Sequence, residues 1–244
     1  MIGETPMGTL INVLAILVAT VLGMVFRKGL SEDLQKNIMF VLGLGLVVVS
    51  IGWFMADFLV VTDSGISTQK DLLVILSLVI GVIVGETLDI DGRLSRFAYG
   101  IESKYKLPPL AKGFIAGTLI FCVGAMAIIG SLKDGISGDS TTLIVKSALD
   151  FVTAMVLASV LGAGVAFSAI SVLVYQGSIT LLARVVAPFL TDDLTAGISM
   201  VGSVLLVAMG LNFMGVTKVK VANLLPALLV PVGYALIVWI WGLF

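Results

Sequence analysis

Long apolar runs separated by short polar stretches dominate this chain, with none of the strict alternation of a β-barrel. A helix crosses the hydrocarbon core in about 20 apolar residues. On that basis the runs predict eight spans, at about 8–26, 37–60, 72–88, 112–131, 141–161, 168–189, 195–216 and 222–243. The third is short and interrupted by glycine, and only Gly162-Ala163-Gly164 and their neighbours separate the fifth from the sixth. One further segment, about 90–107, has a different pattern. Ile90, Leu94, Phe97, Ile101 and Tyr105 recur at helical spacing, with Arg93, Arg96 and Lys104 elsewhere on the wheel. This predicts an amphipathic helix in the membrane interface, begun by Asp89 or Asp91 and stopped by Pro108-Pro109. Its role is either gating or resting as a connector on anionic lipid.

Two of the runs match each other. Leu30-Ser31-Glu32-Asp33-Leu34 and Leu190-Thr191-Asp192-Asp193-Leu194 each introduce one, and Ile38, Val41, Leu46 and Val47 then align with Ile198, Val201, Leu206 and Val207. The match extends from Asp71-Leu72-Leu73 and Gly81 to Asn223-Leu224-Leu225 and Gly233. It also sets Thr20 against Thr180 and Gly23 against Ala183. Five crossings between the copies make them antiparallel. The expectation is one integral membrane domain over residues 1–244, all-α and polytopic. It contains repeat A (about 8–88), intervening helices (about 112–161) and an inverted repeat B (about 168–243).

Composition and charge place and orient this bundle. The chain is 59% hydrophobic and 12% charged, against about 25% charged in soluble domains. A net charge of −1 gives no reason to expect nucleic-acid binding, and the lack of His excludes imidazole metal sites. Cys122 stands alone, so no internal disulfide forms. Glu4 is the sole charge before the first run, whereas a cleavable signal has a basic start. With both termini outside, Arg27, Lys28, Lys36, Arg93, Arg96, Lys104, Lys106, Lys112, Lys218 and Lys220 lie in inner loops. Lys70 and Lys133 lie in outer ones. Ten against two satisfies the positive-inside rule.

The chemistry rests on polar residues inside spans. Lys146 and Asp150 are one turn apart on one helix face, and Asp150 lies roughly 13 Å beyond Thr141 at a rise of about 1.5 Å per residue. A central carboxylate costs about 2.5–3.5 kcal/mol to insert, so it faces protein or a cavity. It is either a cation or proton site with Lys146 as a switchable partner, or half of an ion pair that packs the bundle. In span six, Gln176 and Thr180 share a face near Gly177 and Ser178; they ligate an ion or glue helices together. Asn12, Asn212 and Asn223 place amides in or near spans. Pro226 and Pro231 deprive the carbonyls of Ala222 and Ala227 of their helical donors. Residues 133–139 read as a tight external turn, with Asp139 or Ser140 capping span five. The Gly/Ala/Ser face of span four suggests a homodimer through spans four and five.

Several stretches carry a family resemblance: Gly8-Thr9-Leu10-Ile11-Asn12, Glu86 to Leu94, Phe121 to Gly135, Tyr175 to Ala183, and Val221 to Leu229. They resemble the YdfK/YqgA-type bacterial membrane proteins, catalogued as domain of unknown function 554. The resemblance implies a bacterial inner-membrane protein suspected of transport, and brings no substrate or functional residues with it. The residues themselves point to a secondary transporter of a small ion or metabolite, driven by an ion gradient because no P-loop is present. A channel, or an assembly or sensor subunit, is the alternative. With one deep Asp and no His, no catalytic set is seen, and neither an enzyme nor a cofactor is expected. The candidate binding residues are Asp150, Lys146, Gln176, Ser178, Thr180, Asn12 and Asn223.

Overall fold

A computed structural model describes residues 7–27, 29–63, 65–105, 110–123 and 125–242, without the side chains of Phe97, Ala98, Ile101, Glu102, Tyr105, Ala125, Val186 and Ile240. The chain is an all-α polytopic membrane protein. Its elements are α1 (Gly8–Arg27), α2 (Glu32–Phe58), the strands β1 (Leu59–Thr62) and β2 (Gly65–Thr68), α3 (Asp71–Leu88), α4 (Ile90–Tyr105), α5 (Ala111–Cys122) and α6 (Ala125–Ser137). There follow α7 (Thr141–Leu161), α8 (Gly164–Leu181), α9 (Ala183–Val186), α10 (Asp192–Phe213), a 3₁₀ helix (Val221–Leu228) and α11 (Leu229–Trp241). Among the described residues seven helices are long and apolar enough to cross a membrane. The pair α5 and α6, bent by 63°, makes an eighth if it counts as one span.

The helices group into two compact units, Met1–Phe40 with Leu94–Pro188 and Val41–Arg93 with Phe189–Phe244. Within the first, glycines let backbones meet. A Cβ on Gly23 of α1 would stand 2.2 Å from the Met155 carbonyl oxygen of α7, and one on Gly8 would overlap Leu143. Early residues of α1 therefore meet early residues of α7, and later meet later, so these helices run parallel. A Cβ on Gly113 or Gly117 of α5 would strike Val165 or Ser168 of α8, while one on Gly135 of α6 would strike Thr180. The α5–α6 pair thus follows α8 from end to end. That register identifies it as one broken crossing rather than a loop that turns back.

The second unit is built in the same way. A Cβ on Gly81 or Gly85 of α3 would lie 2.5 Å from Ala227 or 1.8 Å from the Asn223 carbonyl oxygen, so α3 runs antiparallel to the 3₁₀ segment. Gly43 of α2 and Gly210 of α10 approach so closely that a Cβ on either would meet the other's carbonyl at 2.5–2.7 Å. Lys70 ties the start of α3 to Asp193 at the start of α10, 2.6 Å away. The amphipathic helix begins where expected, after Asp89 in a left-handed turn (φ 46°). The side chains of Phe97, Ile101 and Tyr105, and the stop at Pro108-Pro109, lie outside the described residues.

Three expectations change. Residues 133–137 are not a turn, because α6 carries its buried face (Ala127, Ser131, Asp134) through them. Span two ends earlier, since β1 and β2 pair antiparallel, Leu59 with Thr68 and Thr62 with Gly65. Span eight opens as a 3₁₀ helix containing Pro226, which has no N–H to donate. Of the two residues read as caps of α7, Ser140 stands at the N-cap without a side-chain capping bond, and Asp139 accepts the Thr141 N–H at 3.0 Å. Hydrogen bonds from Thr141 hold the Asp139 carboxyl below its ordinary value, so the charged cap is present at neutral pH and is lost as pH falls through that lowered pKa.

Gly85→Ala should lower the melting temperature in detergent by the equivalent of about 1–3 kcal/mol, the usual cost of overpacking. Gly45→Ala, where a Cβ meets nothing within 4 Å, should leave it unchanged or raise it by about 0.5–1 kcal/mol. Equal melting temperatures for the two variants would contradict the packing described.

Candidate functional site

The first unit draws most of the polar span residues into one buried cluster. On α7, Lys146 Nζ pairs with Asp150 Oδ2, and each residue is only 6% exposed. The i, i+4 spacing puts both on the face that α1 covers. Asn12 of α1, fully buried, donates its Nδ2 to Asp150 Oδ2 at 2.9 Å and to Gln176 Oε1 of α8 at 3.4 Å. One turn along the same contact, the hydroxyls of Thr9 and Thr180 lie 3.4 Å apart. Cys122 closes α5, where the crossing breaks.

The orientation of both amides follows from their neighbours. Turning Asn12 over would set Oδ1 against a carboxylate, and turning Gln176 over would set two NH₂ groups against each other. In the arrangement that remains, Asn12 Oδ1 and Gln176 Nε2 are buried without a hydrogen-bond partner. Such groups cost about 1–3 kcal/mol each unless something meets them. The cluster is therefore charge-neutral but incomplete, with an idle acceptor and an idle donor beside an ion pair.

Asn12, Lys146, Asp150 and Gln176 come together, and Thr180 joins them through Thr9. Ser178 does not, since its hydroxyl is exposed and donates to the Tyr175 carbonyl at 2.9 Å. Asn223 belongs to the second unit, where its Oδ1 accepts the Asp91 N–H at 2.7 Å and its Nδ2 is idle. Asn212 stitches the loop after α10, accepting from Thr217 and Val219. Glu86 is half exposed, 4.0 Å from Lys220.

Asp134 of α6 is a further buried carboxylate that the sequence reading assigned to a turn. It is 1% exposed. Its Oδ2 accepts the Gly8 N–H at 3.1 Å and its Oδ1 accepts the Ser140 hydroxyl at 2.5 Å. An acceptor here satisfies one of the four orphan donors at the start of α1 and fixes the register that carries Asn12 to Asp150. The helical spacing of Ala127, Ser131 and Asp134, continuing past Lys133, was the available signal. Among the described residues no three Cys, Asp or Glu side chains converge as a metal cage. Of the two amide oxygens, Gln176 Oε1 accepts from Asn12 Nδ2, and Asn12 Oδ1 is left without a donor.

Residues 7–236 match a family described as a protein of unknown function, DUF554. The chain belongs to this family. A relative in Bacillus subtilis (strain 168), described as the uncharacterized membrane protein YdfK, is 31% identical over 236 residues, 97% of this chain and 98% of its own. Another in Escherichia coli (strain K12), described as the uncharacterized protein YqgA, is 29% identical over 95% of this chain and 98% of its own. No solved structure matches. DUF554 membership thus accounts for nearly the whole length of the chain, and the chemistry of the cluster rests on its geometry.

Asp134→Ala should leave the Gly8 N–H and the Ser140 hydroxyl without their acceptor. We expect a loss of about 1–3 kcal/mol, read as a lower melting temperature together with faster hydrogen exchange over the first turn of α1. Wild-type exchange in that turn would contradict the role given to Asp134.

Proposed function

We propose that this protein is a secondary transporter of a small ion or metabolite in the bacterial cytoplasmic membrane, with both termini outside and the cluster around Asp150 as its binding site. One observation carries the reading: a buried Lys146–Asp150 pair lies next to amide groups whose Asn12 Oδ1 and Gln176 Nε2 are unpartnered. A pair that only packed helices would be expected to have its surroundings satisfied, since charges inside a membrane are costly and are usually paired and functional. Loading would loosen Lys146 from Asp150, and release would restore the pair. The broken α5–α6 crossing, with Cys122 at its break, gives the site a hinge, because interrupted helices are where transporters hold their cargo.

Alternating access through inverted repeats belongs to this proposal. Support comes from the α2–α10 contact. In the repeat register Gly43 aligns with Ser203 and Gly210 with Ser50, and the two helices meet backbone to backbone at Gly43 and Gly210. A homodimer is part of the same proposal. Gly130 of the small-residue face of span four lies against Thr142 and Leu143 of α7, which leaves Ile144, Val145, Leu149 and Val152 of α7 as an exposed apolar face for a second copy.

Asp150→Asn keeps the size of the side chain and removes its charge. Reconstituted into proteoliposomes, it should be folded and inserted yet lose gradient-driven uptake across a panel of ions and small metabolites under proton and sodium gradients. Wild-type uptake with unchanged pH and sodium dependence would reduce Asp150 to a structural partner of Lys146. Flux at channel rates without saturation would replace the transporter by a pore.

A further inference from the structure

We infer that the solute held at this cluster is a small zwitterion, a molecule carrying both an ammonium and a carboxylate, as the α-amino acids do. This rests on the transport reading above and assigns its substrate class. The donors and acceptors of the site fall into two sets. Lys146 Nζ and Gln176 Nε2 are donors, and Asp150 and Asn12 Oδ1 are acceptors; one member of each set carries full charge and the other is an idle amide group. An incoming ammonium is met by Asp150 and Asn12 Oδ1. An incoming carboxylate is met by Lys146 and Gln176 Nε2. The two idle atoms, Asn12 Oδ1 and Gln176 Nε2, are then satisfied together.

Charge bookkeeping selects among ligand classes. Lys146 and Asp150 sum to zero, and a zwitterion also sums to zero, so the exchange of one ion pair for two interlocked pairs adds no net charge to a buried site. A bare cation would use only oxygens, leaving Gln176 Nε2 idle and one uncompensated positive charge beside Lys146, at high cost in a low-dielectric interior. A bare anion would leave Asn12 Oδ1 idle and excess negative charge beside Asp150. An uncharged amide would satisfy the two idle groups and make no use of the ion pair. Lys146 and Asp150 stand one turn apart on a single helix, with Cβ atoms of such positions about 5–6 Å apart. That short reach suits an ammonium and a carboxylate on the same or adjacent carbons rather than at the two ends of a long chain.

The test is counterflow into proteoliposomes holding the full chain, with a radiolabelled mixture of the twenty common amino acids in one arm and radiolabelled sodium, rubidium, acetate and methylamine in the others. We expect saturable counterflow of one or a few amino acids and none of acetate or methylamine. Gln176→Glu replaces the donor to the carboxylate by a negative charge, and should weaken apparent affinity roughly tenfold or more. Where that variant fails to reconstitute, Gln176→Met removes the donor at similar volume and is read in the same way. Saturable sodium or rubidium counterflow without any amino acid, retained or tightened in Gln176→Glu, would overturn the zwitterion and leave transport standing. Amino-acid counterflow indifferent to both Gln176 variants would overturn the assignment to this cluster. No counterflow of any solute would overturn both readings.

Discussion

Everything in the first unit is organised by the cost of holding charge inside a membrane. A carboxylate and an ammonium, each 6% exposed on α7, are tolerable only when they are paired and hydrogen-bonded. The i, i+4 spacing makes the pair local, but it does not satisfy the second requirement. That requirement brings in α1, whose Asn12 donates to Asp150, and through Asn12 it brings in Gln176 of α8. One charge pair and its amide partners thus join three helices.

Packing delivers the helices to that position. Lipid tails are as apolar as leucine, so helices in a bilayer associate through close van der Waals contact and hydrogen bonds, and small residues permit the closeness. Gly23 against Met155, Gly113 and Gly117 against α8, Gly135 against Thr180, and Gly164 against Leu110 do this in the first unit. Asp134 adds a polar fixing point at the start of α1, four residues before Asn12. The unit is thus held by backbone proximity at its glycines and by carboxylates at two depths.

Much of this was legible in the chain. Run length and hydropathy located the spans because a bilayer imposes a length, and α7 at Thr141–Leu161 and α4 at Ile90–Tyr105 coincide with the expected segments. Lys146 and Asp150 were legible as neighbours because helix geometry alone joins them. Asn12 and Gln176 were legible as amides in spans, but their meeting is a tertiary event between residues 164 apart in sequence, which local periodicity does not encode. Ser178 was grouped with Gln176 by nearness in sequence, yet two residues turn a helix by about 200°, so it points away. Asp134 was hidden because Lys133, Gly135 and Gly138 resemble a turn. The pairing of β1 with β2 was hidden because Val60 and Val61 continue an apolar run.

The central claim is that the Lys146–Asp150 pair is present for transport rather than for stability. Replacing both at once separates these roles, because apolar residues of similar volume in place of a buried ion pair are often neutral or stabilising by about 1–4 kcal/mol. The decisive measurement is therefore the melting temperature and proteoliposome flux of the double variant Lys146→Met, Asp150→Leu. The account predicts a folded protein at least as stable as wild type that carries no gradient-driven flux. A double variant that transports as wild type does would contradict it.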